Sequence, residues 1–433
     1  MPSRPLKQAD DGELAALATE LARARRRTDE LCTLVPEALL FERPIAERHR
    51  VAFYLGHLEA FDVNLLLRRH GRPQLVDPLD RLFAFGIDPS DDDLPRDRPE
   101  DWPPLDQIRA YGRRTRARVD AWLAETPREP YDAEIRVHLS AAVEHRWMHA
   151  ETLAYLLNRL PLARTERALW ARHREPDYDI MGIDAGEVLL GSRNGFGWDN
   201  EFDAHRVAVP AFRIDRHMVT NAQFLRFVEA GGYAEHRYWN HDDWRWRTTH
   251  AVEHPAAWRH GEDGWLLYSR ADLIPFQADW PVYVSHAEAA AYARWTGRQL
   301  PSEAQWQRAA YGNGDAPYPW GDALPDAERG NFDFARWDPM PVDAHPRGAS
   351  ACGALGMLGN GWEWTRCVFA PFAGFRAADF YPGYSADFFD GRHFVLKGGS
   401  GHTARTLLRS SFRNWFQPHY PYVFAGFRCV DES

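Results

Sequence analysis

Cysteine is scarce here: four occur in 433 residues, Cys32, Cys352, Cys367 and Cys429, and none forms a CxxC pair. That argues against a disulfide-stapled scaffold or a zinc ribbon. No run of about 18 apolar residues occurs, so no membrane-spanning helix is expected. The opening MPSRPLKQADDGEL lacks the apolar stretch of a signal peptide. Excess positive charge is lacking too. The formal net charge is −10, which disfavours nucleic acid, since phosphates demand a basic face. One basic run, RARRR (23–27), lies in an Ala- and Leu-rich helical stretch and reads as a solvated helix face. The expectation is a reduced, soluble, cytoplasmic protein with small-molecule rather than nucleic-acid or membrane partners, and with no signal for an oligomeric state.

What is present divides the chain in two. Residues 11–160 read as four amphipathic helices: 13–32, 45–71 (ending at Gly71, a candidate C-cap), 105–125 and 134–160. Four such helices suggest a bundle. Between the second and third lies a Pro- and Asp-rich segment, 72–104, too long for a simple turn. From about residue 165 the helical period fades into short apolar runs among Gly, Pro, Asn and Trp. Two helices stand out there, TNAQFLRFVEAGG (220–232) and SHAEAAAYARWTG (285–297), with Thr220 and Ser285 as N-caps. The 18 Trp of the chain suggest a loop-rich core filled by large rings. The fold class expected is α+β, with domains at 1–165 and 166–433.

AAVEHRWMHAETLAYLL (141–157) places His145 and His149 four apart, on one helix face. His57, in FYLGHLEAFD, sits on an apolar stretch of another helix. Three imidazoles from facing helices form a metal site with open positions, which suits a catalytic metal. The plainer reading of His57 is a packed, hydrogen-bonded histidine. His138 lies one heptad before His145, with nothing else to support it as a ligand. Glu151 points away from the histidine face, toward a supporting or structural role.

A set of pieces in the second half resembles the formylglycine-generating-enzyme fold, a C-type-lectin-like domain. They are GEVLLGS (186–192), 213–233, 280–312, YPWGD (318–322), LGNGWEWT (358–365), LKGGS (396–400) and AGFRC (425–429). The cysteine pair of that enzyme is missing: the matching region reads RSSFRNWF (409–416), so its copper chemistry is not expected. The first half resembles the DinB-like bundle. A DinB-like four-helix bundle joined to this domain, with GH (56–57) and HxxxHxE (145–151), resembles the sulfoxide synthases of ergothioneine and ovothiol biosynthesis. The resemblance implies non-haem Fe(II) held by His57, His145 and His149, with O2 as cosubstrate and the second domain completing the substrate pocket. It implies a proton-donating tyrosine, placed at Tyr384 or its neighbour Tyr381; both also read as packing or loop residues. It places the imidazole substrate at Asn414, which would bind its carboxylate, and at Trp415 and Phe416, whose faces suit a trimethylammonium group. The plainer reading makes both rings core aromatics.

The ovothiol enzymes carry an extra methyltransferase domain, and this chain ends at Ser433. Hercynine is therefore the expected acceptor. Relatives using γ-glutamylcysteine carry an RGxLSRP segment and an Asp after RNW; here DDDLPRDRPEDWPP (91–104) and Phe416 stand instead. Met148 replaces a common Gln, and LFAFGIDPS (82–90) lacks the tyrosines of cysteine-using relatives. The lost charges favour a neutral donor, as in the selenoneine synthase branch, which uses a selenosugar. The alternatives are an ergothioneine-type synthase using cysteine or γ-glutamylcysteine, a zinc DinB-type thiol transferase, and a non-catalytic binding module.

Overall fold

The computed structural model describes residues 11–70, 77–84, 94–125, 132–162, 175–270, 272–314 and 316–432. Gly71 and the expected domain boundary at 165/166 lie outside them. The chain divides into two compact units, Met1–Arg164 and Thr165–Ser433.

The first unit is built on four helices: α1 Asp11–Thr33, α2 Val51–Asp62, α3 Leu105–Glu125 and α4 Asp132–Leu157. α1 packs along α4, and α2 along α3 and α4. α4 is the central helix. It is buried on nearly every side from His138 to Trp147, and its small residues Ala141, Ala142, Ala150 and Ala154 let neighbours approach closely. Burying a side chain such as Leu153 or Leu156 contributes about 1.5–3 kcal/mol each.

Two features differ from the sequence reading. α2 begins at Val51, not at residue 45, because Arg50 is extended and its guanidinium is drawn to the Phe41 carbonyl and to Asp97. Past Asp62 the helix continues as a wider π-helical turn, Val63–Arg68. The RARRR run is a solvated face only in part: Arg26 is exposed, but Arg25 is not. Arg25 is buried and bonds Asp62 (3.2 Å) and Asp120, while Arg23 pairs with Glu20 and lies over the Trp147 ring. A cation enters the bundle there because carboxylates from two other helices await it.

The second unit is a set of small sheets joined by long loops. Four strands run in the spatial order Asn414–Phe416, Phe394–Gly399, Gly361–Val368, Ala425–Gly426, the last pairing in parallel. Phe212–Asp215 is flanked by Ile180–Ile183 and by Val430–Asp431, which ties the two ends of the unit together. A hairpin (Gly186–Leu190 with His205–Val209) and a meander (Trp258–Gly261, Gly264–Ser269, Asp272–Pro275) complete the sheets. Trp198, Trp258, Trp306, Trp362 and Trp364 are fully buried, so large rings do fill this loop-rich core.

The helices Asn221–Glu229 and His286–Trp295 start in capping boxes, Thr220 with Gln223 and Ser285 with Glu288. They end before Gly231 and Gly297, both at positive φ. Two further helices, His241–Thr249 and Glu303–Tyr311, are hidden in stretches that lack a clear apolar period. The second is fixed by a box between Ser302 and Gln305.

Candidate metal centre and substrate strand

α2 contributes His57, and α4 contributes His145 and His149. One nitrogen from each ring lies within 4.8 Å of the others. The ring centroids stand 4.5–5.2 Å apart. His57 Nδ1 contacts the Phe83 carbonyl at 2.9 Å. It therefore carries the proton, which leaves Nε2 as a lone pair; that atom is buried with no hydrogen-bond partner. His145 and His149 face each other through Nε2 at 3.1 Å. Phe61 stacks on His145 at 3.5 Å, and Tyr54 tilts against His149 at 5.5 Å, so packing sets these two rings.

Burial keeps all three imidazoles neutral at neutral pH. It lowers His57 to about 4. It holds His145 and His149 well below the usual range, reinforced by the neighbouring imidazoles. Neutral nitrogens aimed at one point are the donor set a divalent transition metal takes. An orphaned, buried Nε2 on His57 and the close Nε2 pair fit that group. His149 is only half-buried, and it marks the open side of the cluster. His138 does not join the group. It faces His70 instead, Nδ1 to Nε2 at 3.0 Å.

In the second unit, Asn414, Trp415 and Phe416 form one strand and are each half-buried. Strand alternation sends Trp415 to one face and its two neighbours to the other. Trp415 stacks on Phe369 (4.2 Å) and meets Tyr384 edge-on (5.3 Å). Phe416 stacks on Tyr420 at 5.2 Å, with Tyr422 edge-on to Tyr420. Trp415 and Phe416 therefore do not share one aromatic surface, because the pleat separates them. Tyr384, on the short helix Gly383–Ala386, stacks on Trp198 at 3.9 Å; Tyr381 is 5.6 Å from it.

RSSFR, read as a missing cysteine pair, has a structural use. Arg409 and Ser411 hold the buried Glu201. Arg413 grips Glu303 through two bonds, and its guanidinium lies over Phe372 and Phe369. That anchors the strand and the ring beneath Trp415.

A DinB superfamily model matches residues 20–159, and a sulfatase-modifying factor enzyme 1-like domain model matches residues 166–433. The hercynine oxygenase of Mycolicibacterium thermoresistibile is 35% identical over 96% of this chain and 94% of its own length. The chain belongs to the ergothioneine-type sulfoxide synthase family. The hercynine oxygenase of Mycobacterium tuberculosis is 40% identical, but over 58% of each chain. Ergothioneine biosynthesis protein 1 of Neurospora crassa is 27% identical over 92% of this chain and 55% of its own length.

Sequence reasoning missed what supports the cluster in this synthase-family chain. Arg146, next to His145, is fully buried. It donates to Glu59 (3.1 Å), Asp62 (2.7 Å) and the Leu58 carbonyl (2.9 Å), all beside His57 on α2. The signal was present: Glu59 and Asp62 are the only charges in YLGHLEAFDVNLLL. Gly56 was legible as part of the GH pair, but not its reason. A Cβ there would lie 2.5 Å from the Phe83 ring. Gly56→Ala thus pushes away the residue whose carbonyl orients His57. We expect it to cost about 1–3 kcal/mol through overpacking. Metal affinity should fall about 10-fold, as when an outer hydrogen-bond partner is lost. Thermal melts and metal titration of the variant check both; an unchanged affinity would show that the Phe83 contact does not orient the ligand.

Proposed function

We propose that this chain is an iron(II)- and O2-dependent oxygenase that joins a sulfur or selenium donor to the imidazole carbon of hercynine. The observation that carries the reading is the convergence of three neutral histidines, His57 and His145 buried and His149 half-buried, in a chain whose near-full-length relative is a hercynine oxygenase. Iron(II) would be held by those residues and would supply the redox chemistry with O2. The balance closes for a thiol or a selenol donor: one C–H and one S–H or Se–H bond break, a C–S or C–Se bond and an S=O or Se=O bond form, and the second oxygen atom leaves as water.

The protein's own groups divide the remaining tasks. Asn414 and Phe416 lie on one face of the strand, and Phe416 stacks on Tyr420, so an amide and an aromatic pair are offered on that side. Hercynine carries its carboxylate and trimethylammonium on one carbon, and that face suits both. Tyr384 is proposed to give the proton from its phenol oxygen. Trp198 stacked on one side and Trp415 at its edge hold its ring.

For the donor, we propose a neutral selenosugar, the finer part of this reading. Phe416 offers an uncharged surface stacked on Tyr420. Asp97, in the segment that faces the donor in relatives by resemblance, is engaged by Arg43, Arg50 and Trp102.

The test is a product assay by mass spectrometry. Iron-loaded protein receives hercynine and O2 with selenoglucose, cysteine or γ-glutamylcysteine in parallel. The expected result is a selenium adduct at a rate at least about 100-fold above the thiols, the size of preference that a few kcal/mol of differential binding gives. A sulfoxide from either thiol at comparable rate keeps the oxygenase and removes the selenosugar. No product from any donor sinks the hercynine reading.

A further inference from the structure

His49 is a buried histidine that the metal centre does not use. It is 9% exposed, and both ring nitrogens are buried without any hydrogen-bond partner. Buried imidazoles are normally bonded at one nitrogen at least, so such a group calls for an explanation. Its position supplies one. Phe53 stacks on His49 at 3.8 Å and on His57 at 4.7 Å. Residues 49, 53 and 57 thus form a ladder of three rings that ends at a candidate metal ligand.

The groups beside this ladder are fixed in place. Trp102 stands edge-on to Phe53, 6.2 Å away, and its indole N–H donates to Asp97 at 2.7 Å. Asp97 also accepts from Arg50 at 2.8 Å and from Arg43. Segment 94–102 is fastened by these bonds beside the start of α2. Asp97 is thereby occupied, and both ring nitrogens of His49 stay without a partner among the described residues. Burial and the imidazole of His57, helped by the cations Arg43 and Arg48, outweigh the opposing carboxylate of Asp97 and keep its ring neutral, at about 4. A neutral imidazole presents one donor and one acceptor. A hydroxyl group matches that pair. A carboxylate, which only accepts, does not.

We infer that His49 is a donor-binding residue, its ring nitrogens hydrogen-bonding hydroxyl groups on the uncharged tail of the chalcogen donor. This rests on the proposed function above, since it assumes a donor delivered to the three-histidine cluster. His49 is then a specificity determinant. It rewards a polyhydroxylated donor and gives little to an amino-acid thiol.

The experiment compares wild type, His49→Ala and His49→Gln, each loaded with iron. Iron affinity, KM for hercynine, and KM for selenoglucose and for cysteine are measured. In His49→Ala we expect KM for selenoglucose to rise at least about 10-fold, the cost of losing a buried hydrogen-bond pair. Iron affinity, KM for hercynine and KM for cysteine should stay within about threefold. His49→Gln, which keeps one donor and one acceptor, should recover most of the loss. An unchanged KM for selenoglucose in both variants overturns the inference. So does a parallel loss of iron or hercynine binding, which would mark His49 as structural. Should His49→Ala fail to fold, His49→Phe, which keeps a ring against Phe53 but removes both nitrogens, takes its place under the same criteria. A wild-type enzyme that forms product only from thiols also overturns it, whereas no product from any donor is failure of the underlying reading.

Discussion

His145→Ala is expected to empty the site and end product formation. The purified variant should carry less than a tenth of the iron of the wild type, and product should fall below detection. The reason is geometric. His145 supplies one of the two Nε2 atoms that stand 3.1 Å apart, and among the described residues no other His, Cys, Asp or Glu joins the cluster. Two neutral imidazoles remain. Losing even an outer hydrogen-bond partner typically costs 10–100-fold in metal affinity, so losing a ligand costs at least about 100-fold. The fold should survive. The lost ring leaves a gap against Phe61, which stacks on it at 3.5 Å, and such cavities cost about 2–4 kcal/mol. Circular dichroism establishes folding, and elemental mass spectrometry reads the metal. Iron retained at wild-type occupancy would remove His145 from the ligand set. A wild type that binds zinc, and works without O2, would instead favour the thiol transferase alternative.

Much of this was legible in sequence, for reasons that are themselves physical. The i, i+4 spacing of His145 and His149 forces one face of a helix whatever surrounds it. The cap residues Thr220 and Ser285 act locally, so both helix starts were readable. Interactions between distant residues were hidden. RARRR looks like a wet surface until Asp62 and Asp120 arrive from other helices to enclose Arg25. IAERHR has a helical period, yet Arg50 leaves the helix for Asp97, 47 residues on. In RNWF the string of letters does not display the pleat that sends Trp415 and Phe416 to opposite faces of the strand. The two histidines outside the cluster show the same limit. His138 lay on the right face but faces His70, and nothing local marks His49 as lacking a partner.

Arg146→Met is expected to be the most damaging single change in the bundle. Arg146 and its partners Glu59 and Asp62 are all at least 96% buried at the side chain. Burial pushes both carboxyls up, and the neighbouring arginines oppose it. For Glu59 the cations Arg146 and Arg116 prevail and the net direction is down; for Asp62 burial prevails and the net direction is up. Methionine fills the space but leaves both carboxylates without their main cation. Breaking a buried pair from one side costs about 3–5 kcal/mol, a fall of roughly 10 °C in the melting temperature of a unit this size. The pH dependence follows in sign. Without Arg146 the folded-state pKa of both carboxyls rises: that of Asp62 moves further above its unfolded value, and Glu59 loses the main cation that held its own below. The folded form then gains protons, so its stability is greatest at low pH and is lost as pH rises through the raised pKa. The melting gap between variant and wild type should therefore be wider at pH 8 than at pH 5. Adding Glu59→Gln and Asp62→Asn should recover much of it, since the buried charges are then gone. Iron affinity should fall at least about 10-fold, because Arg146 binds the Leu58 carbonyl and so fixes α4 against α2 one residue from each of His145 and His57. A variant that melts with the wild type at pH 8 would mean that Arg25 and Arg116 suffice to hold both carboxylates. One that loses stability but keeps full iron affinity would mean that the ligand helices hold their spacing by packing alone.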